Sequence, residues 1–320
     1  MAEKSKRLFK VGLAIAPGAD NDGRVQRWNE IREMAVHAEA VGFDSLWFPD
    51  HLLVDIGAML GEDKAVRLGI WECWSILSAL AAITSRVEIG AFVACTNFRN
   101  PALLAKMADT LDEISGGRLI LGLGGGYHEP EFRAFGYPTD HLVGRFEEAL
   151  TVIHGLLRNG RIDFEGKYYS ARECELLPRA SRSGGPPILI GAGQPRMLAL
   201  TARFADYWNT FGIHDPSRLD GARKRVDAAC VEVDRDPATL QRTVAVMVDF
   251  PGAYAGRIGD MIRKYRSARV APVTGSPEEI AARLRGFAQA GVTHVQIWPE
   301  PNTMAEIDLM VPALELLDRE

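Results

Sequence analysis

Cysteine is scarce, basic tracts are missing and no apolar run is long, and each shortage excludes something. The four cysteines, Cys73, Cys95, Cys174 and Cys230, lie far apart with no C-x-x-C pair. That spacing argues against a disulfide framework or a zinc site and suits reduced thiols in the cytoplasm. No stretch approaches the ~20 apolar residues of a membrane helix. The start, "MAEKSKRLFKVGLAIAP", is basic, but its apolar segment is short and alternating. Without a continuous apolar core or a small-residue cleavage site, it reads as a first strand rather than a signal peptide. A net charge of -5 and a pI near 5.9, with Arg interleaved among Glu and Asp, leave nothing to track a nucleic-acid backbone.

What is present is the composition of a globular protein with a sizeable core. Of the 320 residues, 47% are hydrophobic and 25% charged. Short apolar runs alternate with longer amphipathic ones. Strands are expected at Leu8–Ile15, Ser45–Phe48, Val87–Val93, Arg118–Gly124, Pro186–Gly193, Asp206–Gly212, Thr243–Phe250 and His294–Pro299. Helices are expected over Val25–Val41, Trp71–Ile83, Pro101–Ser115, Gly144–Leu157, Pro195–Ala205 and Met304–Leu317, with more helical sequence between the sixth and seventh strands. A doubly wound open sheet gives the same alternation. Eight units with no obvious reversal favour a (β/α)8 TIM-type barrel, which commonly takes about 250 residues plus insertions. Residues 1–320 are therefore read as one barrel domain. Two connections are long, Pro49–Ile70 and an insertion at about 158–186, where "RIDFEGKYYSA" suggests a small hairpin.

In a barrel, functional groups gather where strands end and βα loops begin. Four successive strand ends carry polar or glycine-rich sequence: Asp50-His51, "ACTNFRNP" (Ala94–Pro101), "GGGYHEPEF" (Gly124–Phe132) and "GAGQPR" (Gly191–Arg196). The glycine run is neither a dinucleotide fingerprint nor a Walker loop, because no helix follows at once and no Lys-Ser/Thr is present. "GAGQPR" enters a helix directly, so its backbone N–H groups could hold a phosphate. "HEPE" (His128–Glu131) offers metal-type ligands, but no further His or acidic pair completes a site, and no metal is expected. No G-x-S-x-G elbow or Cys–His signature appears. His37, His141 and His154 read as surface or packing residues. His294 opens the eighth strand at the end opposite the mouth, where a stabilising role is expected. Trp71, Trp74 and Trp298 could line an apolar pocket or simply fill the core.

The stretches "GFDSLWFPDHLL", "TSRVEIGAFVACTNFRNPALLAKMADTLDEISGGRLILGLGGGYHEPEFRAFGYP", "GRFEEAL", "PPILIGAGQPRMLALTARFADYWN" and "GVTHVQIWPEPNT" resemble the luciferase-like monooxygenase superfamily through nearly the whole chain. The branch using the deazaflavin coenzyme F420 is the most similar; other branches use reduced FMN and oxygen. The resemblance implies a (β/α)8 barrel holding the cofactor ring in its C-terminal mouth, and a homodimer. It implies that Asp50 meets the polar edge of the ring and that His51 faces the substrate as acid or base, a role imidazole suits near neutral pH. It further implies a non-prolyl cis peptide at Phe92-Val93 behind the ring and a coenzyme contact at Cys95. Gly125 and Gly126 would line the ring, and Ala192, Gly193 and Gln194 would hold the phosphate, with room beyond Gly193 for the polyanionic tail. Sugar-phosphate dehydrogenases of this branch have Glu where this chain has Tyr127, which disfavours that substrate. The implied function is hydride transfer between F420 and a small organic substrate. An FMN-dependent monooxygenase and a non-catalytic flavin-binding protein stand as alternatives.

Overall fold

The computed structural model describes residues 7–16, 24–61, 63–250 and 271–319. Eight parallel strands close on themselves: β1 (Lys10–Ala14), β2 (Ser45–Phe48), β3 (Glu88–Ala91), β4 (Leu119–Gly124), β5 (Ile188–Gly191), β6 (Tyr207–Phe211), β7 (Gln241–Asp249) and β8 (His294–Glu300). Each pairs with the next, and β8 returns to β1 with Lys10 beside His294 and Leu13 beside Ile297. The closure decides for the barrel over the open sheet.

The outer ring comprises α1 (Trp28–Ala40), α2 (Cys73–Ile83), α3 (Pro101–Ile114), α4 (Leu142–Asn159), α5 (Pro195–Phe204), α6 (Leu219–Glu232), α7 (Pro277–Gln289) and α8 (Met304–Asp318). Local chemistry fixes their starts. At α3, the Asn100 side chain accepts from the Ala102 and Leu103 amides and Pro101 occupies the first turn, where its missing N–H costs nothing. Helix α2 starts two residues later than expected because Glu72 caps it, accepting from the amides of Trp74 and Ser75. Trp71, left outside, donates its indole N–H to the Gln26 carbonyl at 2.8 Å. Helix α4 begins earlier and runs on to Asn159, past the expected start of the insertion. The expected hairpin follows, Arg161–Glu165 against Ser170–Glu175.

Two elements were not expected: α7, and a seven-residue helix at Glu129–Phe135 that follows the glycine run closely. The connection after β2 also carries structure, a two-residue strand pair (Val54–Asp55 with Arg67–Leu68) flanking a short helix at Ile56–Leu60. Among the described residues, no helix is long and apolar enough to cross a membrane.

Side chains alternate across each strand, as the two-residue period requires. Leu13, Leu46, Leu121 and Ile190 belong to the large core between strands and helices, while Ala14, Trp47, Ile120 and Leu189 form a separate cluster inside the barrel. Trp47 fits there only because two facing positions have no side chain. A Cβ at Gly90 would lie 2.3 Å from its ring, and one at Gly12 2.6 Å from its Nε1. Trp47 meets Phe92 edge-on at 5.8 Å, and Phe92 meets Trp298 at 6.2 Å. An aromatic layer therefore floors the mouth. Trp74 is buried in the outer core.

Candidate active site

Strand β2 ends at Phe48 before Pro49, which cannot donate to a neighbouring strand, and this releases Asp50 and His51 at the mouth. The two side chains meet different partners. Asp50 is buried and accepts from Arg99 Nη1 at 2.6 Å, Arg99 Nη2 at 2.9 Å and the Cys95 amide at 2.8 Å. Arg99 Nη2 also reaches Glu72 at 2.8 Å. Burial works against the guanidinium charge, but the Asp50 and Glu72 carboxylates outweigh it and push Arg99 above its ordinary value. Both oxygens of Asp50 are thus committed to the loop after β3. Asp50 therefore holds that loop in shape at the mouth.

His51 places Nδ1 2.9 Å from Oε1 of Glu131, whose side chain is 2% exposed, while the imidazole is 20% exposed. The other oxygen of Glu131 accepts the Leu52 amide at 2.8 Å. Glu131 lies in the first turn of the short helix after β4, so a carboxylate from one strand end clamps residues 51 and 52 at another. Tyr127, 61% exposed, stands edge-on to the His51 ring at 5.8 Å. His128 is buried and its Nε2 accepts the Asp55 amide at 3.0 Å, which requires a neutral ring; burial also lowers its pKa. "HEPE" thus supplies structural acceptors. Among the described residues no cluster of three or more His, Cys, Asp or Glu is arranged to hold a metal ion.

The peptide between Phe92 and Val93 is cis, at the position the resemblance implied. Beyond it the chain pairs again, Ala94 and Cys95 lying beside Leu123 and Gly124. Gly126, at φ +76°, packs on this segment: a Cβ there would lie 2.6 Å from Cys95 Sγ and 2.5 Å from the Phe132 ring. The Gly125 carbonyl accepts from Asn97 Nδ2 at 2.7 Å. The loops after β3 and β4 are therefore locked into one wall. Burial pushes the Cys95 thiol up to about 12, so it stays protonated.

Across the mouth, the turn after β5 is anchored at Ala192, whose carbonyl accepts the Trp208 indole N–H at 2.9 Å and whose amide donates to the Asn209 carbonyl at 3.2 Å. A Cβ on Gly191 or Gly193 would meet nothing within 4 Å. Gln194 occupies the cap position of α5 without capping it. An open turn with uncapped helix N–H groups is suited to an anion. Beyond it lies a cavity of about 440 Å³ bordered by His141, Lys167, Tyr168 and Arg196, with Glu147 and Glu148 on its α4 side.

A closed parallel barrel with polar groups at successive strand ends has the architecture of a barrel enzyme. The family model of the luciferase-like monooxygenases matches residues 9–251, and the chain belongs to that family of oxidoreductases. It is 31% identical over 266 residues to the phthiodiolone/phenolphthiodiolone dimycocerosates ketoreductase of Mycobacterium tuberculosis, covering 79% of this chain and 68% of that protein. It is 36% identical over 173 residues to the pyrimidine monooxygenase RutA of Cronobacter sakazakii, about half of each chain (52% and 50%). Among solved structures it is similar to an F420-dependent secondary alcohol dehydrogenase holding an F420–acetone adduct, with TM-score 0.77, 20% identity and 98% and 99% of the two chains covered. The long-chain alkane monooxygenase LadA superposes with TM-score 0.74 at 16% identity, over 99% and 92%. At these identities the two structures speak for the fold.

Sequence reasoning found Asp50, His51 and the glycine-rich turns and missed Arg99 and Glu131. Glu131 lay inside a segment marked as a polar strand end and read for metal ligands, but not as a partner of His51. Arg99 lay inside the quoted loop after β3, but nothing in its immediate sequence marks its partner.

Proposed function

We propose that this protein is an F420-dependent oxidoreductase that moves a hydride between the deazaflavin and a small organic alcohol or ketone. The observation carrying the reading is His51 at the end of β2, with one ring nitrogen held by a buried carboxylate and the ring still partly open to the mouth. Deazaflavin, when bound, accepts or gives a hydride at a ring carbon. As the carbinol C–H gives up that hydride, its O–H proton has to go to a base; in the reverse direction an acid delivers it. His51 is placed to hold that proton. Phe92 and Trp298 offer an apolar surface, and the joined loops after β3 and β4 hold His51 and Asp50 in place. The residues present fit the cofactor: the open Gly191–Gly193 turn and uncapped α5 suit a phosphate, and the adjoining cavity has basic residues for an anionic tail. The tuberculosis relative is a ketoreductase by name, which supports carbonyl–carbinol chemistry.

The match to RutA supports a second reading, an FMN-dependent monooxygenase. Titration of the purified apoprotein with both coenzymes, oxidised and reduced, separates the two. We expect F420 to bind at least ~30-fold more tightly than FMN, a difference of about 2 kcal/mol. Equal or tighter binding of reduced FMN, with oxygen uptake on adding substrates, would establish the monooxygenase instead.

A further inference from the structure

Among the described residues, Glu131 is the buried carboxylate that meets the His51 ring, and its two oxygens serve different donors. Oε1 stands 2.9 Å from His51 Nδ1 and Oε2 accepts the Leu52 amide at 2.8 Å. Its side chain is 2% exposed, so solvent does not compete for it. An ionised carboxylate only accepts hydrogen bonds, so the nitrogen facing it must carry a proton. A neutral imidazole has one proton, and holding it at Nδ1 leaves Nε2 with a lone pair. The Leu52 bond anchors the same carboxylate to the backbone next to the imidazole, so Glu131 cannot turn away without giving up a partly buried amide.

We propose that Glu131 is the positioning residue of the site: it fixes His51 as the Nδ1–H tautomer and reserves Nε2 for the substrate's hydroxyl proton. This rests on the proposed hydride-transfer function for its catalytic consequence, but the tautomer itself does not. In oxidation the substrate C–H pair leaves as hydride to F420, the O–H bond breaks, Nε2 takes the proton and the carbonyl forms. Reduction runs the same steps backwards. His51 bearing its proton at Nε2 while Nδ1 accepts could not start the oxidation.

Glu131→Gln tests this sharply. The amide keeps the shape of the side chain, yet only its oxygen can accept. With that oxygen on the Leu52 amide, the –NH2 group faces Nδ1 and favours the opposite tautomer. Proteins labelled with 15N in the histidine rings, with the His51 signals assigned by their loss in His51→Asn, are compared by long-range 1H–15N correlation in the neutral-ring range. We expect Nδ1–H in the native protein and a shift toward Nε2–H in Glu131→Gln. With F420 and substrate, kcat should fall by about 10²-fold or more, with the coenzyme's apparent Kd changed less than ~3-fold. A native His51 protonated at Nε2, or an unchanged tautomer in Glu131→Gln, would overturn the proposal. The native spectrum alone decides if the variant does not fold. Absence of F420 binding with the expected tautomer would overturn the function proposed above while leaving the Glu131 assignment intact.

Discussion

Adjacent in sequence, Asp50 and His51 are separated by what each touches. Asp50 neutralises a guanidinium that is 11% exposed, and removing one partner of a buried ion pair leaves the other charge without compensation. Asp50→Ala should therefore cost about 3 kcal/mol of stability, the low end of such losses, because Glu72 still holds one Arg99 nitrogen. His51→Asn leaves a side chain that can still donate to Glu131, so its melting temperature should stay close to native while turnover falls about 10²–10⁴-fold. Thermal unfolding and steady-state kinetics on both variants check this. A normally stable Asp50→Ala that binds coenzyme poorly would return Asp50 to the ring edge. Asp50 and His51 could be read from sequence because an apolar strand ends on them. Their partners could not, since Arg99 and Glu131 lie 49 and 80 residues away and meet them only when the barrel brings strand ends together.

At the scale of elements, the strands were legible because burial on both faces makes them continuous apolar runs. The short helix at Glu129–Phe135 was not, being too brief for a helical period and holding Pro130 in its first turn. The hairpin at Arg161–Glu175 shows how an insertion is tied to its scaffold. Glu148 of α4 accepts three consecutive amides at its turn, Lys167 at 2.8 Å, Tyr168 at 2.8 Å and Tyr169 at 3.0 Å. The arrangement is an anion in a backbone nest, with a carboxylate as the anion. Glu148→Ala should leave the barrel's cooperative melting nearly unchanged but loosen this turn. Limited proteolysis should then cut near Lys167 several-fold faster than in the native protein. Native cleavage rates would show that strand pairing alone holds the hairpin.

Across the whole molecule, the barrel interior is layered, with aromatic rings toward the mouth and a polar floor. On the floor, Asn209 donates to Thr243 at 2.7 Å and to Gln296 at 2.9 Å. Beside them Trp47 donates its indole N–H to Ser45 Oγ at 2.7 Å, and Ser45 lies 2.7 Å from His294 Nε2. With one lone pair of the Ser45 oxygen taken by Trp47, the hydroxyl still has a hydrogen and a second lone pair, so it can bond a neutral His294 at Nε2 in either tautomer. The position of His294 at the strand's start suggested a stabilising role, and the hydrogen bonds supply its form. Burial, aided by Lys10, holds this histidine down at about 3. In the unfolded chain it takes up a proton near pH 6.5. Between about pH 6.5 and pH 3 the unfolded state therefore binds one more proton at this residue than the native state does. Stability is complete above that window and declines as pH falls through it, by about 1.4 kcal/mol per pH unit from this group. His294→Gln can keep an acceptor for Ser45 but has no proton to gain. The variant should lose about 1–3 kcal/mol at pH 7 from imperfect packing of the floor. Its urea-unfolding free energy should then fall less steeply than the native protein's between pH 6 and pH 4, the difference approaching about 1.4 kcal/mol per pH unit. Parallel slopes would mean that His294 titrates freely in the folded barrel and that the floor admits its charge.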